Sequence, residues 1–168
     1  MVMVPEFVRT IEQSGLANWM RDSESYFAYP AVITLHTFGM ALLAGLNVAI
    51  GLRILGVAPS IPLAPLDRLY RLMWFGFWVN AITGVVLVIS YPTKAFTDPV
   101  FYVKLGFVAA GMVYMQLIRN RVIRHANPVS GLAVNAKSLA AISLLMWFGA
   151  IYAGKFMEYT YTNLIYPG

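Results

Sequence analysis

The chain has 168 residues, of which 60% are hydrophobic and only 11% are charged, and its formal net charge is +5. A soluble domain of this length could not bury so much apolar surface, so the excess must face lipid and one transmembrane domain is predicted over residues 1–168. Cysteine is absent, which excludes disulfides, thiolate metal sites, iron–sulfur clusters and a cysteine nucleophile.

The N-terminal segment, about residues 5–21, has apolar side chains at near-helical spacing among charged ones. This pattern predicts a short amphipathic helix that lies in the membrane interface, with Gly15 as a break. An acidic residue, Glu6, precedes the first arginine, and no small-residue cleavage site follows an apolar run. We therefore do not expect a removable signal peptide.

Four apolar runs follow, and each is long enough to cross a bilayer as a helix. The predicted spans are about residues 29–55, 72–91, 101–118 and 136–159. Three prolines between the first two spans predict a stiff, non-helical connection: Pro59, Pro62 and Pro65. The fold class expected is an all-α membrane protein, a four-transmembrane-helix antiparallel bundle with an N-terminal amphipathic interfacial helix.

The basic residues are distributed unequally between the two ends of this predicted bundle. The first and third connections hold seven arginines and lysines against one acid, Asp67, whereas the termini and the middle connection hold five against six acids. Because arginine and lysine resist translocation, both termini are predicted outside and the basic connections inside. The cluster of Arg119, Arg121 and Arg124 is predicted to anchor the protein to membrane lipids, and nucleic acid is not expected as a partner.

His36 is the most informative residue, because it lies about two turns inside the first span, at a depth where ionisable side chains are costly. Asn47 follows eleven positions later, close to three helical turns, so the two are expected on one face together with Met40. A neighbouring stripe of small residues would let another helix approach closely: Thr37, Ala41, Gly45 and Ala49.

Three further polar residues are predicted near His36 in the outer half of the bundle or at mid-membrane: Asn80, Lys104 and Lys155. They are candidate cofactor-binding residues with His36, Met40 and Asn47. The alternative for the two lysines is that they reach the membrane surface as anchors. The alternative for the two asparagines is that they form hydrogen bonds between helices.

Three interpretations of His36 stay open at this point. It could bind haem b or contact a quinone, although the only second imidazole, His125, belongs to the opposite side of the membrane. It could bind copper with Met40, since imidazole and thioether both suit that metal. It could also be a neutral histidine that forms a hydrogen bond with a neighbouring helix. No nucleophile–base–acid set or intramembrane carboxylate pair is found, so catalysis by this chain alone is not expected.

The segment Tyr29 to Met40, with its Leu-His-Thr-Phe-Gly pattern, and the exit Gly51-Leu52-Arg53-Ile54-Leu55-Gly56 resemble an uncharacterised family of small bacterial four-helix inner-membrane proteins. Further matching segments are Trp74 to Trp78 and Pro99 to Leu105, so the resemblance covers roughly residues 8–120. At Gln116 to Arg119, where some members carry a second histidine, this chain has none. The family is more distantly similar to copper-resistance membrane proteins and to cytochrome-b-like subunits.

This resemblance implies a bacterial inner membrane and an important histidine in the first span. With the residue pattern, it favours a membrane subunit associated with a redox or respiratory complex that binds haem b or quinone near His36 in the outer leaflet. The alternatives are a copper-handling transporter or sensor and a purely structural or assembly subunit. Protein partners or a homo-oligomer are expected in each case.

Overall fold

A computed structural model of the chain describes residues 5–124 and 135–160. This part of the chain is helical, with seven α-helices and no strand among the described residues. The helices are α1 (Glu6–Glu12), α2 (Gly15–Asp22), α3 (Tyr29–Leu55), α4 (Leu69–Ser90), α5 (Pro92–Thr97), α6 (Pro99–Ile118) and α7 (Ala136–Thr160). A 3₁₀ turn, Ala64–Arg68, leads into α4, and a π-helical turn, Arg119–Ile123, continues α6.

Four helical segments are long and apolar enough to cross a membrane: Tyr29–Leu55, Ala64–Ser90, Pro99–Ile123 and Ala136–Met157. The prediction of four such helices is confirmed, and the first coincides with the predicted bounds. The second and third begin earlier than predicted, and the third also continues past its predicted end as the π-helical turn. The connection after α3 is non-helical as far as Leu63.

The boundaries of α3 have local causes. Pro30 lies in the first turn, where the missing N–H would have had no partner within the helix. Gly56 ends the helix with φ of 103°, a left-handed conformation that glycine adopts without a Cβ clash. Its N–H donates to the carbonyls of Leu52 and Arg53. Proline and glycine thus delimit a helix of 27 residues.

The long helices form two close pairs, α3 with α4 and α6 with α7, and the contact between α3 and α7 joins the pairs. The core between them includes Leu43, Met73, Met115 and the fully buried Trp147. By contrast, α4 and α6 do not pack closely on each other in the described structure. The bundle therefore has an open seam between α4 and α6.

The closest approach of the first pair is at two glycines, Gly39 of α3 and Gly76 of α4. A Cβ atom on Gly39 would lie 2.8 Å from the Gly76 carbonyl oxygen, and one on Gly76 would lie 2.9 Å from the Gly39 carbonyl oxygen. Backbone therefore meets backbone, as in other membrane helix pairs that use small residues. In the described structure no helix packs on the stripe predicted for this role, because its four residues are exposed: Thr37, Ala41, Gly45 and Ala49.

The N-terminal segment forms two short helices instead of one. The break comes at Gln13 and Ser14, just before the predicted Gly15, because the Ser14 side chain caps α2 by accepting from Ala17 N–H at 3.3 Å. Both helices lie against the end of the bundle where α4 ends and α5 begins: Thr93 donates to the Glu12 carboxylate at 2.6 Å. Their location in a membrane interface stays a prediction. Helix α5 falls where only a connection was predicted.

Candidate functional site

His36 is the eighth residue of α3, and its ring faces α4. Its Nδ1 atom lies 3.0 Å from the Thr83 hydroxyl oxygen. Gly84, the next residue of α4, leaves room for the ring, because a Cβ atom there would lie 3.2 Å from the Cε1 atom of His36. A hydroxyl and a missing side chain on α4 therefore define where the imidazole lies.

The hydrogen bonds of Thr83 indicate which nitrogen of His36 carries the proton. The Thr83 hydroxyl donates to the carbonyl of Val79 at 2.6 Å, one turn earlier on α4. The Thr83 hydroxyl has one proton, and when it donates that proton to a backbone carbonyl its oxygen accepts from Nδ1–H of a neutral imidazole. In that tautomer the lone pair is on Nε2, for which no hydrogen bond is found among the described residues.

The Asn80 side chain also contacts His36, but at the His36 backbone and not at the ring. The Asn80 side-chain amide donates to the His36 carbonyl at 2.8 Å. This bond lies one turn from the contact between Gly39 and Gly76, so it helps to hold α3 against α4. Asn80 therefore helps to position His36 with one N–H of its amide.

Lys104 approaches the same region from α6. Its chain lies over Gly154 of α7, and a Cβ atom on Gly154 would lie 3.6 Å from Cε and 3.7 Å from Nζ of the lysine. The Lys104 side chain is half-buried, and its charge interacts with the His36 imidazole. Within residues 5–124 and 135–160 no hydrogen bond or ion pair of the Lys104 ammonium is found. Helix α6 thus contributes to the surroundings of His36 with α4, and α7 packs against the Lys104 side chain.

The remaining predicted cofactor residues have other neighbours or are exposed. Asn47 is buried and pairs with Ser143 of α7; eleven residues separate it from His36, about 16 Å along the helix axis. Lys155 is exposed. Met40 is half-buried and packs against the apolar core, which gives its side chain a packing role. The structure therefore groups His36, Thr83, Asn80 and Lys104, and Thr83 had not been predicted as a site residue.

At the opposite end of the bundle, Arg119 forms an ion pair with Asp67. Its Nε and Nη2 atoms lie 2.7 and 3.2 Å from the two carboxylate oxygens of Asp67. Its guanidinium also lies 5.2 Å from the centre of the Tyr70 ring. Arg121 and Arg124 are exposed. Lipid anchoring by this cluster stays a prediction, and Arg119 also has a role within the protein.

Two features of the bundle were not predicted. Trp147 is fully buried against Gly111, and its indole N–H has no hydrogen-bond partner in the described part of the chain. Four exposed rings are stacked along α7: Phe148, Tyr152, Phe156 and Tyr159. The rings are three to four residues apart, and this spacing could have predicted that they form a row on one face of α7. Nothing in the sequence indicates that Trp147 packs against Gly111.

Comparison of the chain with protein-family models, curated proteins and solved structures gives no match. No group of three or more His, Asp or Glu residues that could hold a metal ion is found in residues 5–124 and 135–160. His125 lies outside the described residues. The functional argument therefore rests on the geometry around His36.

Proposed function

We propose that the chain is a membrane-embedded subunit of a redox or respiratory complex, and that it binds haem b or a quinone beside His36. The observation that carries this proposal is the orientation of the imidazole. The hydrogen bond of 3.0 Å between Nδ1 and the Thr83 hydroxyl leaves the Nε2 lone pair without a partner among the described residues.

This arrangement suits a histidine that binds a ligand. Histidines that coordinate metals usually donate their other ring N–H to an oxygen, which sets the tautomer and raises the basicity of the coordinating nitrogen. The Nε2 atom of His36 could thus coordinate haem iron or accept a hydrogen bond from a quinol hydroxyl. The bound group would supply the electron transfer, and the chain would supply orientation and charge.

Lys104 supports the same proposal from the other side of the bundle. A half-buried ammonium in a membrane segment is costly unless an anionic or polar group accompanies it. A haem propionate or a quinone oxygen would meet this need. Either ligand would bind both residues: haem through its iron and a propionate, or a quinone through its two oxygens. A purely structural role for His36 would leave the half-buried Lys104 unexplained.

A role as a subunit follows from the ligand set. A bis-histidine haem needs a second imidazole, and His125 follows the far end of α6 in the sequence. A second axial ligand would therefore come from a partner chain, from a second copy of this chain or from a methionine. We place the complex in a bacterial inner membrane with both termini periplasmic, so that His36 lies in the outer leaflet.

The test is absorption spectroscopy and quinone extraction on the full chain, purified in mild detergent from bacterial membranes. We expect a Soret band, or a co-purified quinone at stoichiometric amount, that His36→Ala removes. Thr83→Val should weaken binding about 10- to 100-fold, whereas Thr83→Ser should retain it, because serine keeps the hydroxyl that lies at Nδ1 and valine removes it. Lys104→Gln should weaken binding, and Lys137→Gln, at an exposed lysine near the start of α7, serves as its matched control.

Other outcomes would replace the proposal. Copper bound at stoichiometric amount, with neither a Soret band nor quinone, would establish copper handling instead. If no cofactor is found and the protein co-purifies with fixed partners, the chain is a structural or assembly subunit. Equal binding by Thr83→Val and Thr83→Ser would remove the argument from the tautomer.

A further inference from the structure

A groove opens at the seam between α4 and α6, at the end of the bundle opposite to the N-terminal helices. Its volume is about 340 Å³, within the range of small-molecule pockets, about 300–1,000 Å³. Six residues line it: Trp74, Met112, Val113, Gln116, Leu117 and Asn120. Along α6 the lining runs from the apolar Met112 and Val113 to Gln116, Leu117 and Asn120, so its polar side chains lie toward the end of α6. The groove therefore changes from apolar to polar along its length.

Basic residues surround the polar end. Arg71 precedes Trp74 by three residues on α4, and Arg121 follows Leu117 by four residues and lies in the π-helical turn, so their spacing predicts that both lie near the polar end of the groove. Both are exposed, and no ion pair of either is found in the described part of the chain. The acid nearest to Arg71 in the sequence, Asp67, accepts from Arg119 with both of its carboxylate oxygens. The charges of Arg71 and Arg121 are thus left uncompensated by carboxylates.

We propose that this groove binds one anionic phospholipid, with an acyl chain between α4 and α6 and the phosphate between Arg71 and Arg121. An acyl chain matches the apolar wall formed by Trp74 and Val113, and a phosphate matches the unpaired guanidiniums. A helix from a protein partner would have to bring carboxylates to this end, whereas an anionic lipid carries its charge at the required depth. The proposal is independent of any cofactor at His36.

The first measurement is lipid binding by native mass spectrometry on the full chain in detergent. The probes are phosphatidylglycerol and phosphatidylcholine with identical acyl chains. We expect the protein to prefer phosphatidylglycerol, and the double variant Arg71→Gln/Arg121→Gln to bind it about 30-fold more weakly, since each basic residue near anionic lipid contributes about five-fold. Arg9→Gln, an exposed arginine of α1, is the matched control and should bind like the unmodified protein. Retained preference in the double variant would overturn the proposal.

The second measurement tests the groove itself. A photocrosslinking benzophenone amino acid replaces Val113 in the groove, and in a control variant it replaces the exposed Leu145 of α7. Both variants are placed in vesicles that contain equal amounts of phosphatidylglycerol and phosphatidylcholine. We expect position 113 to crosslink mainly to phosphatidylglycerol, and position 145 to crosslink to both lipids alike. A protein adduct at position 113 would show that a partner helix occupies the groove, and equal crosslinking to both lipids would show only surface attraction. Either result would overturn the proposal.

Discussion

The side chains of Asn47 and Ser143 bond to each other in both directions across the interface between α3 and α7. The Asn47 amide donates to the Ser143 hydroxyl at 2.8 Å, and the hydroxyl donates to the Asn47 carbonyl at 3.1 Å. Both residues are buried, and they are 96 positions apart in the chain. This pair bonds the two halves of the bundle to each other in the apolar core.

Removing one member of this pair leaves the other as a buried polar group without a partner. The two single variants together should therefore lose more free energy of unfolding than the double variant loses. We expect Asn47→Ala and Ser143→Ala each to lower the free energy of unfolding by about 1 kcal/mol, with a coupling of about 0.6–1.7 kcal/mol. The measurement is a double-mutant cycle by denaturant titration in micelles. Additive effects would contradict the mutual bond.

Gly39→Ala should separate α3 from α4, because the added Cβ atom would lie 2.8 Å from backbone atoms of Gly76 and Asn80. Overpacking of this kind costs about 1–3 kcal/mol of unfolding free energy. Gly45→Ala, on the same helix with nothing within 4 Å, should not destabilise the protein and should raise the free energy of unfolding by up to about 1 kcal/mol, because alanine favours the helix more than glycine does. Thermal unfolding of both variants in one detergent checks the difference. Equal melting temperatures would show that the glycine contact does not form.

Trp147 is large and fully buried, but its indole N–H is unpaired among the described residues. Trp147→Ala should lower the free energy of unfolding by about 3–5 kcal/mol through the cavity it leaves. Trp147→Phe retains most of the ring contact and removes the unpaired donor, so its cost should stay below about 1.5 kcal/mol. Denaturant titration of both variants provides the comparison. A similar loss in both would indicate that the N–H forms a hydrogen bond that matters.

Arg21 connects the N-terminal helices to the bundle. Its guanidinium donates to the Ser90 carbonyl at 2.8 Å and to the Glu12 carbonyl at 2.7 Å. Arg21→Ala should therefore raise amide hydrogen exchange in α1 and α2 about tenfold, because charged hydrogen bonds contribute about 1.5–3 kcal/mol. Arg9→Ala should not raise it. Hydrogen exchange is measured by mass spectrometry. Equal exchange in the two variants would contradict the anchoring role of Arg21.

The charge distribution predicts which side of the membrane each end occupies. Alkaline phosphatase fused after Gly168 should be active, because the C-terminus is predicted to be periplasmic, whereas a fusion at Ser60 should be inactive. Green fluorescent protein at the same two positions should give the opposite result. Activity of the phosphatase at Ser60 alone would reverse the proposed orientation and would place His36 in the inner leaflet.

Much of the helical framework was predictable because its causes are local. The run from Tyr29 to Leu55 is apolar, begins with Pro30 and ends before Gly56, and the structure gives α3 the predicted bounds. The start of α4 was predicted three residues late, because its first turn carries Arg71 and follows a 3₁₀ turn that hydropathy does not reveal. Helix α5 was missed because six residues are too few for a clear period.

The site was less predictable, because side-chain neighbours depend on how each helix is rotated about its axis. His36 was recognised from the cost of an ionisable group in a span, but its partner Thr83 was not, since α3 and α4 are apolar on every face and offer no amphipathic stripe. Asn47 was grouped with His36 by helical periodicity, yet the Asn47 side chain contacts α7 and the His36 ring contacts α4.

The sequence by itself thus determined four apolar helices and their order, because the length and composition of a segment decide whether it can cross a bilayer. Only the tertiary structure decided that Gly39 meets Gly76, that Thr83 orients His36, and that α4 and α6 leave a groove. Those relationships depend on close packing between distant segments, where a single missing Cβ atom determines how near two helices can come.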